Sequence, residues 1–87
     1  DRFMLFFKEA GEMKNMNPAS DDAQNLVRRL QDYITQNLYT CTNKILRGLG
    51  KMYSGGGDIT TNIDAYGGEG TAIFVANAIE IYCDNAE

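Results

Sequence analysis

Six of the nine glycines in this 87-residue chain fall in two short groups, Gly55-Gly56-Gly57 and Gly67-Gly68 with Gly70, and a helix or strand continues poorly through either. The groups therefore read as loops that cut the second half of the chain into short pieces. They are not interdomain linkers, because a domain on either side would be too small to hold a core. Residues 1–87 make one small domain with a shallow core and little surplus stability.

The segments between the loops carry helical periodicity, and strand-like alternation is nowhere sustained. Phe3, Phe6, Phe7, Ala10 and Met13 define a first amphipathic helix that ends near Asn15 to Pro18. Ser20 followed by Asp21 and Asp22 starts a second: the serine oxygen caps free amides and the acids complement the positive helix end. Its stripe is Ala23, Leu26, Val27, Leu30, Tyr33, Ile34 and Leu38. A third helix begins near Thr40 or Thr42 and is expected to bury Ile45, Leu49, Met52 and Tyr53, with Lys44, Arg47 and Lys51 on or beside the opposite face. Gly48 and Gly50 lie inside it, each costing roughly 1 kcal/mol relative to alanine, which predicts packing space or close approach in return. Asp58 is placed to cap a short fourth helix carrying Ile59, Ile63 and Tyr66. The last helix has the cleanest stripe, Thr71, Phe74, Val75, Ala78, Ile79 and Tyr82, and is expected to fray from Asp84 to Glu87.

Charge and composition remove several function classes. The net charge of −4 argues against nonspecific phosphate affinity. The charge is also polarised: Arg28 to Lys51 holds five bases and one acid, whereas Ser54 onward holds six acids and neither lysine nor arginine. Pairing between solvated helix faces is the favoured explanation. The chain contains no histidine, which eliminates histidine bases, histidine triads and imidazole-ligated zinc or haem together. Gly48-Leu49-Gly50 lacks the third glycine of a dinucleotide fingerprint, and Gly50-Lys51 is followed by Met52 where a P-loop needs a hydroxyl. Glu9 and Glu12 share a helix face but read as an exposed acidic turn rather than an acid–base pair.

Cys41 and Cys83 are far apart in sequence and form no CxxC pair, so a reduced compartment is the economical expectation, with a disulfide between them left open. Cys41 near a helix start could act as a nucleophile, but burial as a small hydrophobe is favoured. The first apolar run, Phe3 to Phe7, is too short for a signal peptide or a membrane span, and the chain starts at Asp1. A cytoplasmic piece of a longer protein, not attached to a membrane, is expected. What remains is a helical package rich in aromatic and methionine side chains that can re-pack around ligands.

NLYTCTNKILRGLGKMY, from Asn37 to Tyr53, followed by TTNIDAYGGEGTAIFVANAI, from Thr60 to Ile79, resembles the TipAS drug-recognition domain, and the likeness extends approximately from Phe3 to Tyr82. Its landmarks are Asn37 and Tyr39, then Leu49 to Tyr53, then Asn62-Ile63-Asp64, then Gly70 with the apolar helix behind it. The resemblance implies an all-α fold of about five helices, globin-like but without haem. It also implies attachment to a MerR-type regulator whose DNA-binding helices are absent here and whose full-length form is a homodimer. The implied ligand is a thiopeptide or another bulky antibiotic, bound in a cleft between helices, with no enzymatic activity and no cofactor.

The resemblance implies that the family's founding member captures thiopeptides through a cysteine of the third-helix motif, and Gly48 stands at the matching position here, so reversible apolar binding is expected, with Gly48 widening the cleft. The motif positions carried over are Tyr39, Asn43, Arg47, Gly48, Met52 and Tyr53 on one wall and Asp64, Phe74 and Ala78 on another, with Phe3 and Phe7 closing over the ligand. Core packing is the competing role for each, above all for Phe74 and Met52. The other readings are a protein-interaction domain whose groove receives an apolar partner helix, and an enzyme using Cys41.

Overall fold

The computed structural model describes residues 2–86 as five helices, α1 (Arg2–Glu12), α2 (Asp21–Asn37), α3 (Asn43–Tyr53), α4 (Asp58–Gly67) and α5 (Thr71–Ala86), with no strand among the described residues. α5 is the centre. Its sequence is apolar on nearly every side, it buries seven residues from Thr71 to Cys83, and it touches each of the other four helices. A helix without a continuous polar face has to be surrounded, which fixes the arrangement of the rest. No helix among the described residues is long and apolar enough to cross a membrane.

Local signals set the boundaries of α2 and α3. Ser20 accepts from the Ala23 amide at 3.3 Å and Thr42 from the Ile45 amide at 3.2 Å, each satisfying one of the free amides of a first turn. α4 starts differently from the expectation: Gly57 is the cap residue and makes no side-chain bond, while Asp58 is the first helical residue and contributes charge to the positive end. The turn into α5 needs glycine at Gly68 and Gly70, where φ is +98° and +94°. The end of α5 does not fray from Asp84 but continues to Ala86; Glu87, the end of the expected frayed segment, lies outside the described residues.

Three of the expected stripes are rotated or shortened. α3 buries Leu46, Gly50 and Tyr53, leaving Ile45 and Met52 exposed and Leu49 half-buried. The reason is Gly50: a Cβ there would lie 3.0 Å from Ile79, so the missing side chain lets α3 and α5 approach and turns that face inward. Leu38 follows the last turn of α2 and is exposed, and α4 buries Ile63 but exposes Ile59 and Tyr66.

α1 is seated on α4 by a second glycine contact. A Cβ on Gly11 would overlap the Gly67 carbonyl, and Lys14 donates to the same carbonyl at 3.4 Å. The radius of gyration is 11.6 Å, against the roughly 12 Å expected for a tightly folded chain of this length, so no ligand-sized interior hollow is implied by its dimensions.

Candidate functional site

Phe3, Phe6 and Phe7 recur at i, i+3 and i+4, which puts all three rings on one side of α1. They join α1 to its neighbours as a chain of edge and tilted contacts. Phe7 meets Tyr53 of α3 at 5.3 Å between centroids and 84° between planes, and Phe3 meets Phe7 at 5.4 Å and 83°. On α2, Tyr33 lies 5.4 Å from Phe6 and 6.4 Å from Phe3. Edge-to-face pairs of this kind add about 0.5–1.5 kcal/mol each beyond area burial. Phe7 and Tyr53 are buried, whereas Phe3 and Phe6 are only partly covered, so the chain of rings runs from surface to core.

Burial pushes the Tyr53 phenol well above the ordinary tyrosine range, and nearby Tyr39 and Cys41 push in the same direction. The inner end of the ring chain is therefore apolar, with Tyr39 beside it and 47% exposed. Cys41 is itself buried and its thiol is raised by desolvation, the opposite of what a nucleophilic thiolate needs. Both cysteines lie near the start of α3, Cys41 donating to the Thr42 carbonyl at 3.9 Å and Cys83 to that of Asn43 at 3.4 Å.

The other sequence-chosen residues separate by location. Phe74 and Ala78 are core residues of α5, and Ala78 and Phe7 border a packing gap too small for a water molecule. Asn43, Arg47 and Asp64 hold the structure together. Asn43 accepts from Gln31 at 2.8 Å, Arg47 ties α3 to Glu80 and Asp84 of α5, and Asp64 accepts from the Ala72 amide at 2.9 Å, capping α5. Gly48 does not line a cleft in this conformation. It faces outward on α3, where an added Cβ would meet nothing within 4 Å. Met52, 51% exposed, lies on the same helix with Ile45 and half-buried Leu49, an outer apolar stripe at i, i+4 and i+7.

The structure thus brings Phe3, Phe7 and Tyr53 into contact and leaves Gly48 and Met52 on an outer face. Tyr33 belongs to the ring chain but was legible in the sequence only as one member of the α2 stripe. The available signal was indirect: three phenylalanines on one side of α1 need a partner surface, and Tyr33 is the only ring on α2.

A family model described as the TipAS antibiotic-recognition domain matches residues 1–82. Among curated proteins, the HTH-type transcriptional activator mta of Bacillus subtilis (strain 168) is 40% identical over 83 residues, covering 95% of this chain and 32% of the relative. The chain therefore spans about a third of the length of that relative. No solved structure matches it significantly.

Proposed function

This chain belongs to the TipAS antibiotic-recognition domain family, and we propose that it is the effector-binding part of a MerR-type transcriptional regulator, a recognition domain rather than an enzyme. Its ligand is a thiopeptide or another bulky natural-product antibiotic, held without a covalent bond and mainly by apolar contact. The full-length regulator is a homodimer that acts in the cytoplasm and touches DNA through a domain outside this chain.

The observation that carries this reading is the unequal seating of α1. From Phe7 to Gly11 it is fixed to α4 by backbone contact of Gly67 with Gly11 and the Phe7 carbonyl, which no ligand can replace. Its N-terminal half is held to α2 and α3 largely through the rings of Phe3, Phe6 and Phe7. A large apolar ligand offers equivalent contacts. Tilting of the first turn of α1 beyond this contact, with rotation of the Phe7 ring away from Tyr53, opens a path toward Tyr39 and the outer stripe beside Gly48 and Met52. Phe3 and Phe7 then close over the ligand. A ligand shifts the population only toward conformations it prefers, so binding stabilises this closed form of α1 and biases the attached DNA-binding part. Without that part the domain sequesters the drug.

Thermal-shift measurement against a panel of thiopeptides and other natural products tests the assignment, repeated with Gly48→Trp. The tryptophan is accommodated by the open space at that position and obstructs the outer face. A thiopeptide is expected to raise the Tm of the parent chain and to raise it less in the variant. Stabilisation by no compound, or an undiminished shift in Gly48→Trp, overturns the reading. The exposed Ile45–Leu49–Met52 stripe also supports a protein-interaction domain that receives an apolar partner helix, under which an amphipathic peptide, and no thiopeptide, produces the shift.

A further inference from the structure

α3 and α4 each turn an apolar row to solvent, and the two rows match in length. Ile45, Leu49 and Met52 stand at i, i+4 and i+7 on α3, and Ile59 and Tyr66 at i and i+7 on α4, so each row spans roughly 10 Å. Leu49 is half-buried and the other four are exposed. One residue ahead of each lies an exposed row that carries charge. On α3 it is Lys44, Gly48 and Lys51; on α4 it is Asp58, Asn62 and Ala65, with Glu69 just past the helix end.

The charges on these rows are of one sign each, since α3 contains no acid and α4 no base. The polarity of the sequence is only partly used inside the molecule, where Arg47 meets Glu80 and Asp84. Among the described residues, none of Lys44, Lys51, Asp58 and Glu69 is in an ion pair. Gly48 is an independent observation on the same face. It meets open space, so its cost of roughly 1 kcal/mol relative to alanine has no return within a single chain. A glycine at the middle of a helix face gives a return when a second backbone packs closely on it. The middle of the α4 face is also held by short side chains, Asn62 and Ala65.

The order of the rows fixes how the two faces fit. Both helices are right-handed and both carry the charged row one residue ahead of the apolar row, so charge meets charge and apolar meets apolar only when facing helices run antiparallel. That orientation sets Lys51 beside Asp58 and Lys44 toward Glu69, and it opposes the two helix dipoles.

We propose that this domain associates with a second copy of itself, α3 of one packing antiparallel on α4 of the other. Related by a two-fold axis, the contact is made twice and closes a dimer. The proposal does not rest on the antibiotic assignment. Because the contact covers Gly48 and Met52, an antibiotic held there and a second copy exclude one another.

Sedimentation equilibrium of the chain, without antibiotic, tests the contact. The parent passes from monomer to dimer as its concentration rises, and less readily as salt is added. Lys44→Glu with Lys51→Glu, or Asp58→Lys with Glu69→Lys, sets like charges opposite each other and weakens association by about tenfold or more. A mixture of these two double variants restores both contacts and associates as the parent does. The charges added by Asp58→Lys with Glu69→Lys cancel the net −4 of the chain, so bulk attraction does not produce the rescue. Met52→Ser, at an exposed position, weakens association with every charge in place. A parent that stays monomeric, an unchanged dimer in Met52→Ser, or a mixture that associates no better than its components overturns the proposal. Each result is read in the same way whether or not a thiopeptide binds.

Discussion

Single residues give the sharpest contrasts, because three glycines in helices occupy three different surroundings. Gly48 meets open space, Gly50 lies against Ile79, and Gly11 lies against the Gly67 backbone. Gly48→Ala is accordingly expected to raise stability by about 1 kcal/mol through helix propensity, read as a higher midpoint in urea. Gly11→Ala is expected to lower it by about 2 kcal/mol, since α1 and α4 must separate to admit the methyl. The sequence predicts tolerance of Gly48 and Gly50 for the sake of packing, which is right for Gly50 and wrong for Gly48. Nothing in the local pattern tells a glycine facing Ile79 from one facing outward.

Tyr53 supplies a pH prediction at the same scale. Burial favours its neutral phenol in the folded protein, so the stability it contributes is complete below the ordinary tyrosine pKa of about 10 and is lost as pH rises beyond it toward the raised folded value. Cys41 acts with the same sign. Denaturation midpoints measured from pH 8 upward should therefore fall above about pH 10, and fall less in Tyr53→Phe. An equal fall in the variant would remove Tyr53 as a cause.

At the scale of elements, what the chain encodes locally is legible and what depends on a neighbour is not. Ser20 and Thr42 cap α2 and α3, as hydroxyl residues before an apolar stripe should. Asp58 has the same appearance but stands one position inside α4, and Asp64, eight residues before Ala72, is the carboxylate that caps a helix, and it caps the next one. That role arises from the fold of the α4–α5 turn and leaves no mark in spacing. Asp64→Ala should cost about 1–2 kcal/mol and lower the Tm of the whole unit in one transition, because α5 contacts every other helix. A separate early transition would show that α5 does not act as the common centre. α3 departs from its expected phase for a similar reason: Tyr53 is buried as expected, but Ile45, Leu49 and Met52 lead to it as good a stripe as Leu46 and Gly50 do, and only α5 decides between them.

For the molecule as a whole, the all-α class and the number of helices follow from periodicity and glycine placement, and the family from motif order. The shape of the binding region does not. The expected cleft is occupied by the protein's own rings, with Phe7 against Tyr53, and the residues chosen for it divide among core, caps, ion pairs and outer surface. A small domain fills its interior when nothing else does, so under the proposed function a large ligand is admitted by exchange of contacts at α1. Amide hydrogen exchange on the chain saturated with thiostrepton, against the free chain, tests this most directly. The account predicts slower exchange in both α1, residues 2–12, and α3, residues 43–53; thiostrepton bound with exchange unchanged in α1 would contradict it.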